Sequence, residues 1–256
     1  MKKIAFLVLV LATTFNSEAQ RPDYQDLNIY FADGDYEKLL SKAEKYTQDD
    51  DCRKDALPYL YLSKANFEIS KGGDQALAEE FPRAYKDAIK YASKAIQKDD
   101  EARTMYYANL GHFTALKNAV YEEIINLVAA EEYGRLLGTL PLMEKLEKDD
   151  VGTAFLKAVA KYHRGDKSGF KIEQKTAQAL FDNMDTGSLV MSKDDSVEEA
   201  DKKKIDREVF KFGVLQYAKL LVQIEEVSEA RNVLGKIKQL YEKDENFMSE
   251  YNKIVN

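Results

Sequence analysis

The chain has 256 residues, with no tryptophan, one cysteine and two histidines. A disulfide framework requires paired cysteines, and an ordinary zinc site requires several Cys or His ligands, so both are excluded. Only four prolines and twelve glycines are present to interrupt regular structure, and 45% of the residues are hydrophobic. This composition excludes collagen-like, low-complexity and disordered chains.

The chain also has no excess of positive charge. It contains 38 Lys and Arg against 45 Asp and Glu, for a formal net charge of -7. A protein that binds nucleic acid needs a basic surface to neutralise the phosphates. We therefore expect no nucleic-acid partner.

The N-terminal residues have the pattern of a secretory signal peptide. Two lysines precede a short apolar stretch, and Ser17 and Ala19 occupy the -3 and -1 positions of a cleavage site before Gln20. The stretch is shorter than the ~20 residues that span a bilayer. The only cysteine, Cys52, lies too far along the chain to accept a lipid at the mature N-terminus.

We therefore predict that residues 1–19 are a signal peptide and that the mature chain is exported and soluble. It is expected to have no integral membrane segment after cleavage and not to be a lipoprotein. The absence of paired cysteines favours the periplasm over eukaryotic secretion.

Apolar residues recur every three or four positions through the rest of the chain, whereas alternation with a period of two is hard to find. The clearest stripe consists of Ala230, Val233, Leu234, Ile237, Leu240 and Tyr241. This spacing places the apolar side chains on one face of a helix. The sequence therefore predicts an all-α protein.

Pairs of aspartates follow amphipathic segments at an interval of 50 residues. The pairs are Asp49–Asp50, Asp99–Asp100 and Asp149–Asp150. A constant interval of this length is typical of repeat proteins. The alternative is that aspartate ends unrelated surface helices, because it favours turns and caps.

Motifs within these units point to one family. Gly34 and Asp35 form a turn between two helical patterns, Tyr107-x-x-Leu110-Gly111 lies on a first helix, and Tyr85-x-x-Ala88 with Ala95 lies on a second helix. Together they resemble the tetratricopeptide repeat (TPR) family. The resemblance implies a TPR-like α-solenoid of antiparallel helix-turn-helix repeats, in which the first helices line a concave groove that grips peptides or proteins.

The repeats depart from the family pattern. Their spacing exceeds the ~34 residues of a TPR unit, aspartate replaces the proline that ends a unit, and tryptophan is missing. The repeats are therefore degenerate. A generic bundle of antiparallel helical hairpins is the alternative architecture.

Four regions are expected along the chain. Residues 1–19 form the signal peptide and residues 20–182 the TPR-like helical repeats. Residues 183–195 are rich in turn formers and lack a helical period, which predicts a loop or hinge. Ser196-x-x-Glu199 has the pattern of a capping box, so residues 196–256 are expected to form a C-terminal helical repeat and a capping helix.

No catalytic, cofactor-binding or metal-ligating group is expected. His112 and His163 have no second ligand at metal-binding spacing. No Gly-x-Ser-x-Gly or Ser-x-x-Lys nucleophile and no phosphate-binding glycine loop is present. The segment that begins at Asp182 lacks an acid or amide side chain at the third and fifth positions, which a calcium loop requires.

The resemblance instead implies protein-binding positions on the first helices, which here are Lys64, Phe67, Asn109 and His112. These considerations predict an exported periplasmic scaffold or adaptor that binds another envelope protein. It would be an accessory subunit of a secretion, outer-membrane assembly, cell-wall or motility complex.

Two alternatives remain open. One is a helical enzyme or binding protein that acts on cell-wall glycan or polysaccharide, with carboxylates drawn from Glu122–Glu123 or Glu131–Glu132. Adjacent residues on a helix point about 100° apart, so a catalytic pair would have to come from different helices. The other is a self-associating structural protein.

Overall fold

The computed structural model describes residues 23–255, which form thirteen α-helices, two short 3₁₀ helices and no strand. The prediction of an all-α protein is thereby confirmed for this range. The predicted signal peptide, residues 1–19, lies outside the described residues.

The first eight helices contain the positions that the resemblance singled out. They are α1 (Gln25–Ala32), α2 (Tyr36–Gln48), α3 (Ala56–Ser70), α4 (Gln75–Glu80), α5 (Ala84–Lys98), α6 (Thr104–Ala108), α7 (Leu110–Ala129) and α8 (Tyr133–Leu146). The remaining five are α9 (Val151–His163), α10 (Lys167–Asp182), α11 (Val197–Gln223), α12 (Val227–Ile237) and α13 (Glu245–Val255).

Helices that are close in the sequence pack as pairs. The pairs are α1–α2, α3–α5, α7–α8, α9–α10 and α11–α12, and α13 packs on the last of them. Neighbouring pairs touch through α2 with α3, α5 with α8, α8 with α9 and α9 with α11. The pairs α7–α8 and α11–α12 are not neighbours in the sequence, but α11 also packs against α7.

Local capping explains where several helices begin. The carboxylate of Asp150 accepts the backbone N–H of Thr153 at the start of α9. Ser196 and Glu199 form the capping box that the sequence indicates at the start of α11. Gly34 adopts φ +73° in the turn between α1 and α2, a conformation that favours glycine.

The paired aspartates lie in the connections between one helix pair and the next. Asp49 follows α2 and Asp99 follows α5, while Asp150 precedes α9. The carboxylate of Asp99 accepts the N–H groups of Met105 and Tyr106 in α6. The regular interval in the sequence therefore corresponds to equivalent positions in the succession of helix pairs.

The Tyr107-x-x-Leu110-Gly111 motif does not lie on one continuous helix, contrary to the sequence-based expectation. Asn109 has φ -127° and ψ 27°, and it separates α6 from α7. Its side-chain amide donates to the carbonyl of Met105 at 2.9 Å, which stabilises the break. Tyr107 is consequently exposed, whereas Leu110 is buried.

Apolar side chains form three clusters along the molecule. The first lies among α1, α2 and α3, the second mainly among α3 and α5 to α8, and the third among α9 to α13. Ile205 and Val209 of α11 belong to the second cluster, whereas Phe210 and Val214 of the same helix belong to the third. The long helix α11 therefore joins the two larger cores.

Candidate functional site

The four positions expected to bind a partner lie together between α3 and the start of α7. The ammonium group of Lys64 donates to the side-chain oxygen of Asn109 at 2.8 Å. The rings of Phe67 and His112 meet edge to face, with their centroids 5.9 Å apart. Residues 45 positions apart in the chain are thus direct neighbours.

These four side chains differ in accessibility. Phe67 is 9% exposed and belongs to the second apolar cluster. Lys64, Asn109 and His112 line an open cavity of about 600 Å³, together with Ser196 and the acidic residues that begin α11. Three of the expected residues therefore line this open groove, whereas Phe67 lies in the core and packs against His112.

A hydrogen-bond chain fixes the protonation of His112. The hydroxyl of buried Ser63 donates its only proton to the carbonyl of Ala88 at 2.8 Å. Its oxygen lies 2.8 Å from Nε2 of His112, so this nitrogen must be the donor. Burial, together with the positive charges of Lys64 and Lys71, lowers the pKa of His112 to about 3.

The neutral form of His112 in the folded protein predicts a specific pH dependence of stability. Below the unfolded-state pKa of 6.5, the unfolded chain binds a proton that the folded chain does not, so the fold loses stability as the pH falls. Between pH 6.5 and pH 5 the expected loss from this group is about 2 kcal/mol. Urea unfolding at both pH values measures it.

Variants of the two histidines provide a matched test of this pH dependence. His112→Gln should remove most of this pH-dependent loss, whereas His163→Gln should retain it, because the side chain of His163 is exposed. Equal pH dependence in wild type and His112→Gln would contradict the assignment of a neutral His112.

Lys64 is a half-buried cation within this groove. Its ammonium group lies 5.4 Å from the ring centre of Phe31 and 5.5 Å from that of Tyr61, both within cation–π range. Burial lowers the pKa of Lys64, and no acidic side chain in the described part of the chain offsets that effect. Aromatic rings and an amide therefore stabilise its charge.

A second depression lies between α7 and α11 and shares the lining residues Gly111 and Glu198 with the first cavity; we call it the α7–α11 groove. It has a volume of about 400 Å³. It is lined by Gly111, Thr114, Ala115, Asn118 and Tyr121 of α7 and by Glu198, Asp201, Lys204, Ile205 and Glu208 of α11. Sequence reasoning did not find this groove, because no local pattern indicates that α11 packs on α7.

A buried ionic cluster holds α11 in this position. Lys117 of α7 is 3% exposed, and its Nζ lies 2.7 Å from Asp206 Oδ1, 3.6 Å from Glu147 Oε2 and 3.9 Å from Asp150 Oδ2. Burial lowers the pKa of Lys117, but the three carboxylates together raise it above its usual value. Lysine 117 is therefore charged and ties α7 to α11 and to the α8–α9 connection.

Lys202 completes this cluster. Its Nζ lies 2.6 Å from Asp206 and 3.4 Å from Glu147. Burial raises the pKa of Asp206, but Lys117 and Lys202 outweigh that effect and lower it. Glu147 and Asp206 are thus both paired with lysines.

The acid pairs considered for glycan chemistry each have their own local environment. Glu123 accepts a hydrogen bond from Thr139 at 3.0 Å, and Glu122 accepts one from Asn118 at 2.9 Å. Glu132 forms an ion pair with Arg135, and Glu131 lies in a turn with φ +56°.

Two further properties concern residues 23–255 as a whole. Within this range no three His, Cys, Asp or Glu side chains are grouped so as to hold a metal ion. None of the helices described here combines the length and the apolar composition that crossing a bilayer requires.

Comparisons with protein-family models, with curated proteins and with solved structures give no match for this chain.

Proposed function

We propose that the protein is an exported, periplasmic TPR-like scaffold or adaptor. In this proposal it binds another envelope protein as an accessory subunit of a secretion, outer-membrane assembly, cell-wall or motility complex. The observation that carries the proposal is the meeting of Lys64, Asn109 and His112 at an open groove between successive helix pairs. A groove built on packed helices presents side chains in fixed positions, which reduces the entropic cost of binding.

Exposed apolar side chains beside the groove support a protein partner. Tyr107 is 57% exposed and lines the cavity next to Asn109, and Val197 at the start of α11 is 75% exposed. Tyrosine is enriched in protein–protein interfaces, because it provides a large contact area and a hydroxyl group. Tyr107 therefore provides an apolar contact in the same cavity as the polar groups of Lys64 and Asn109.

Site-specific photocrosslinking in the native cell tests the proposal. A photoreactive phenylalanine analogue replaces Tyr107 in one variant and Ile172 in the other, since Ile172 is also exposed, at 63%, but lies on α10. We expect position 107 alone to give a reproducible adduct with one envelope protein. The crosslinked chain should lack residues 1–19 by mass.

Three outcomes would contradict the proposal. The first is the absence of an adduct from position 107, and the second is the same set of adducts from both positions. The third is an adduct that contains only a second copy of this chain, which would favour self-association.

A further inference from the structure

The floor of the α7–α11 groove is apolar and contains one unsatisfied polar atom. Ile205 is 6% exposed and Tyr121 is 8% exposed. The hydroxyl of Tyr121 donates to the carbonyl of Glu208 at 3.2 Å. The hydroxyl oxygen of Thr114 is buried and has no hydrogen-bond partner within residues 23–255.

The rim of the groove is acidic. Three carboxylates, Glu198, Asp201 and Glu208, line it together with a single lysine, Lys204. Glu208 already pairs with Lys211 at 2.8 Å. Glu198 and Asp201 are exposed, and neither forms an ion pair in the described part of the chain. After these pairings the rim retains an excess of negative charge.

We propose that the α7–α11 groove binds a cationic segment of the partner protein, in which an apolar side chain packs on Ile205 and neighbouring Lys or Arg side chains pair with Glu198 and Asp201. This inference rests on the proposed function and adds the chemistry of the bound segment. Charge complementarity at the acidic rim speeds the association of a cationic segment and disfavours an acidic one. Lys204, between the acids on α11, reduces the net negative charge of the rim.

Fluorescence anisotropy of labelled ten-residue peptides tests this chemistry on the full mature chain. One peptide alternates Lys with Leu, and its counterpart alternates Glu with Leu. We expect the Lys–Leu peptide to bind and the Glu–Leu peptide not to bind. Glu198→Gln combined with Asp201→Asn should weaken Lys–Leu binding about three- to tenfold, and added salt should weaken it further.

A matched variant separates local pairing from overall charge. Glu79→Gln with Glu80→Gln changes two exposed acids on α4 by the same charge and should leave the affinity unchanged. Equal weakening by both double variants would overturn the inference, as would binding of the Glu–Leu peptide or a Lys–Leu peptide that does not bind. Thermal melting of each variant verifies that it is folded.

The photocrosslinking experiment distinguishes failure of this inference from failure of the proposed function. If the Glu198→Gln and Asp201→Asn variant gives as much adduct at position 107 as the unmodified chain, the cationic segment is excluded and the adaptor function stands. If neither chain gives an adduct, the adaptor function itself is contradicted.

Discussion

Replacement of Lys117 by methionine is expected to lower the free energy of unfolding by about 3–5 kcal/mol. Lys117 is 3% exposed, and its ammonium group lies within 4 Å of Glu147, Asp150 and Asp206. Without it, Lys202 still pairs with Glu147 and Asp206, but Asp150 loses the lysine with which it pairs. Urea unfolding at neutral pH measures the change.

Two further variants make this prediction specific. Combining Lys117→Met with Asp206→Asn should recover part of the loss, because the closest carboxylate is then neutral and the two substitutions are coupled. Lys38→Met removes a lysine from the surface pair with Asp35, where the lysine side chain is 67% exposed, and should change stability little. A Lys117→Met variant as stable as Lys38→Met would show that the buried cluster does not hold α11.

Replacement of Gly213 by alanine is expected to destabilise the protein by about 3 kcal/mol. A methyl group at this position would lie 2.5 Å from Cα and 2.6 Å from the carbonyl carbon of Gly152, which are backbone atoms of α9. Neither atom can move without shifting its helix. The added carbon must therefore separate α9 from α11 and disturb the core around Phe155 and Tyr217.

The opposite result is expected at Gly235 of α12, where no atom lies within 4 Å of an added methyl group. Alanine favours a helix over glycine by about 1 kcal/mol, so Gly235→Ala should stabilise the protein. Chemical unfolding of both variants measures whether each substitution lowers or raises the free energy of unfolding. A stabilising effect of Gly213→Ala would contradict the close approach of α9 and α11 at this position.

Much of the local structure could be predicted from the sequence. The stripe from Ala230 to Tyr241 forms α12 and a following 3₁₀ helix, with Leu234 and Ile237 buried as its spacing requires. The capping box at Ser196 starts α11. These features depend on residues three or four positions apart, so periodicity and cap composition are sufficient to predict them.

The candidate site was predicted only in part. The family resemblance placed Lys64 and Asn109 among the groove positions, and the two side chains are in direct contact. It also included Phe67, which is packed in the core. Helical spacing places a residue on a face, but it does not say whether a neighbouring helix covers that face.

The sequence by itself determined that residues 23–255 form helices, where several of them begin, and which of their faces are apolar. Only the tertiary structure decided that α11 packs across α7, that Lys117 meets Asp206 from 89 positions away, and that a groove with an acidic rim lies between these helices. The physical reason is the separation along the chain of the residues that interact. Helix formation depends on neighbours within one turn, whereas the position of α11 depends on the combined packing of two apolar cores, two glycines and a buried ionic cluster.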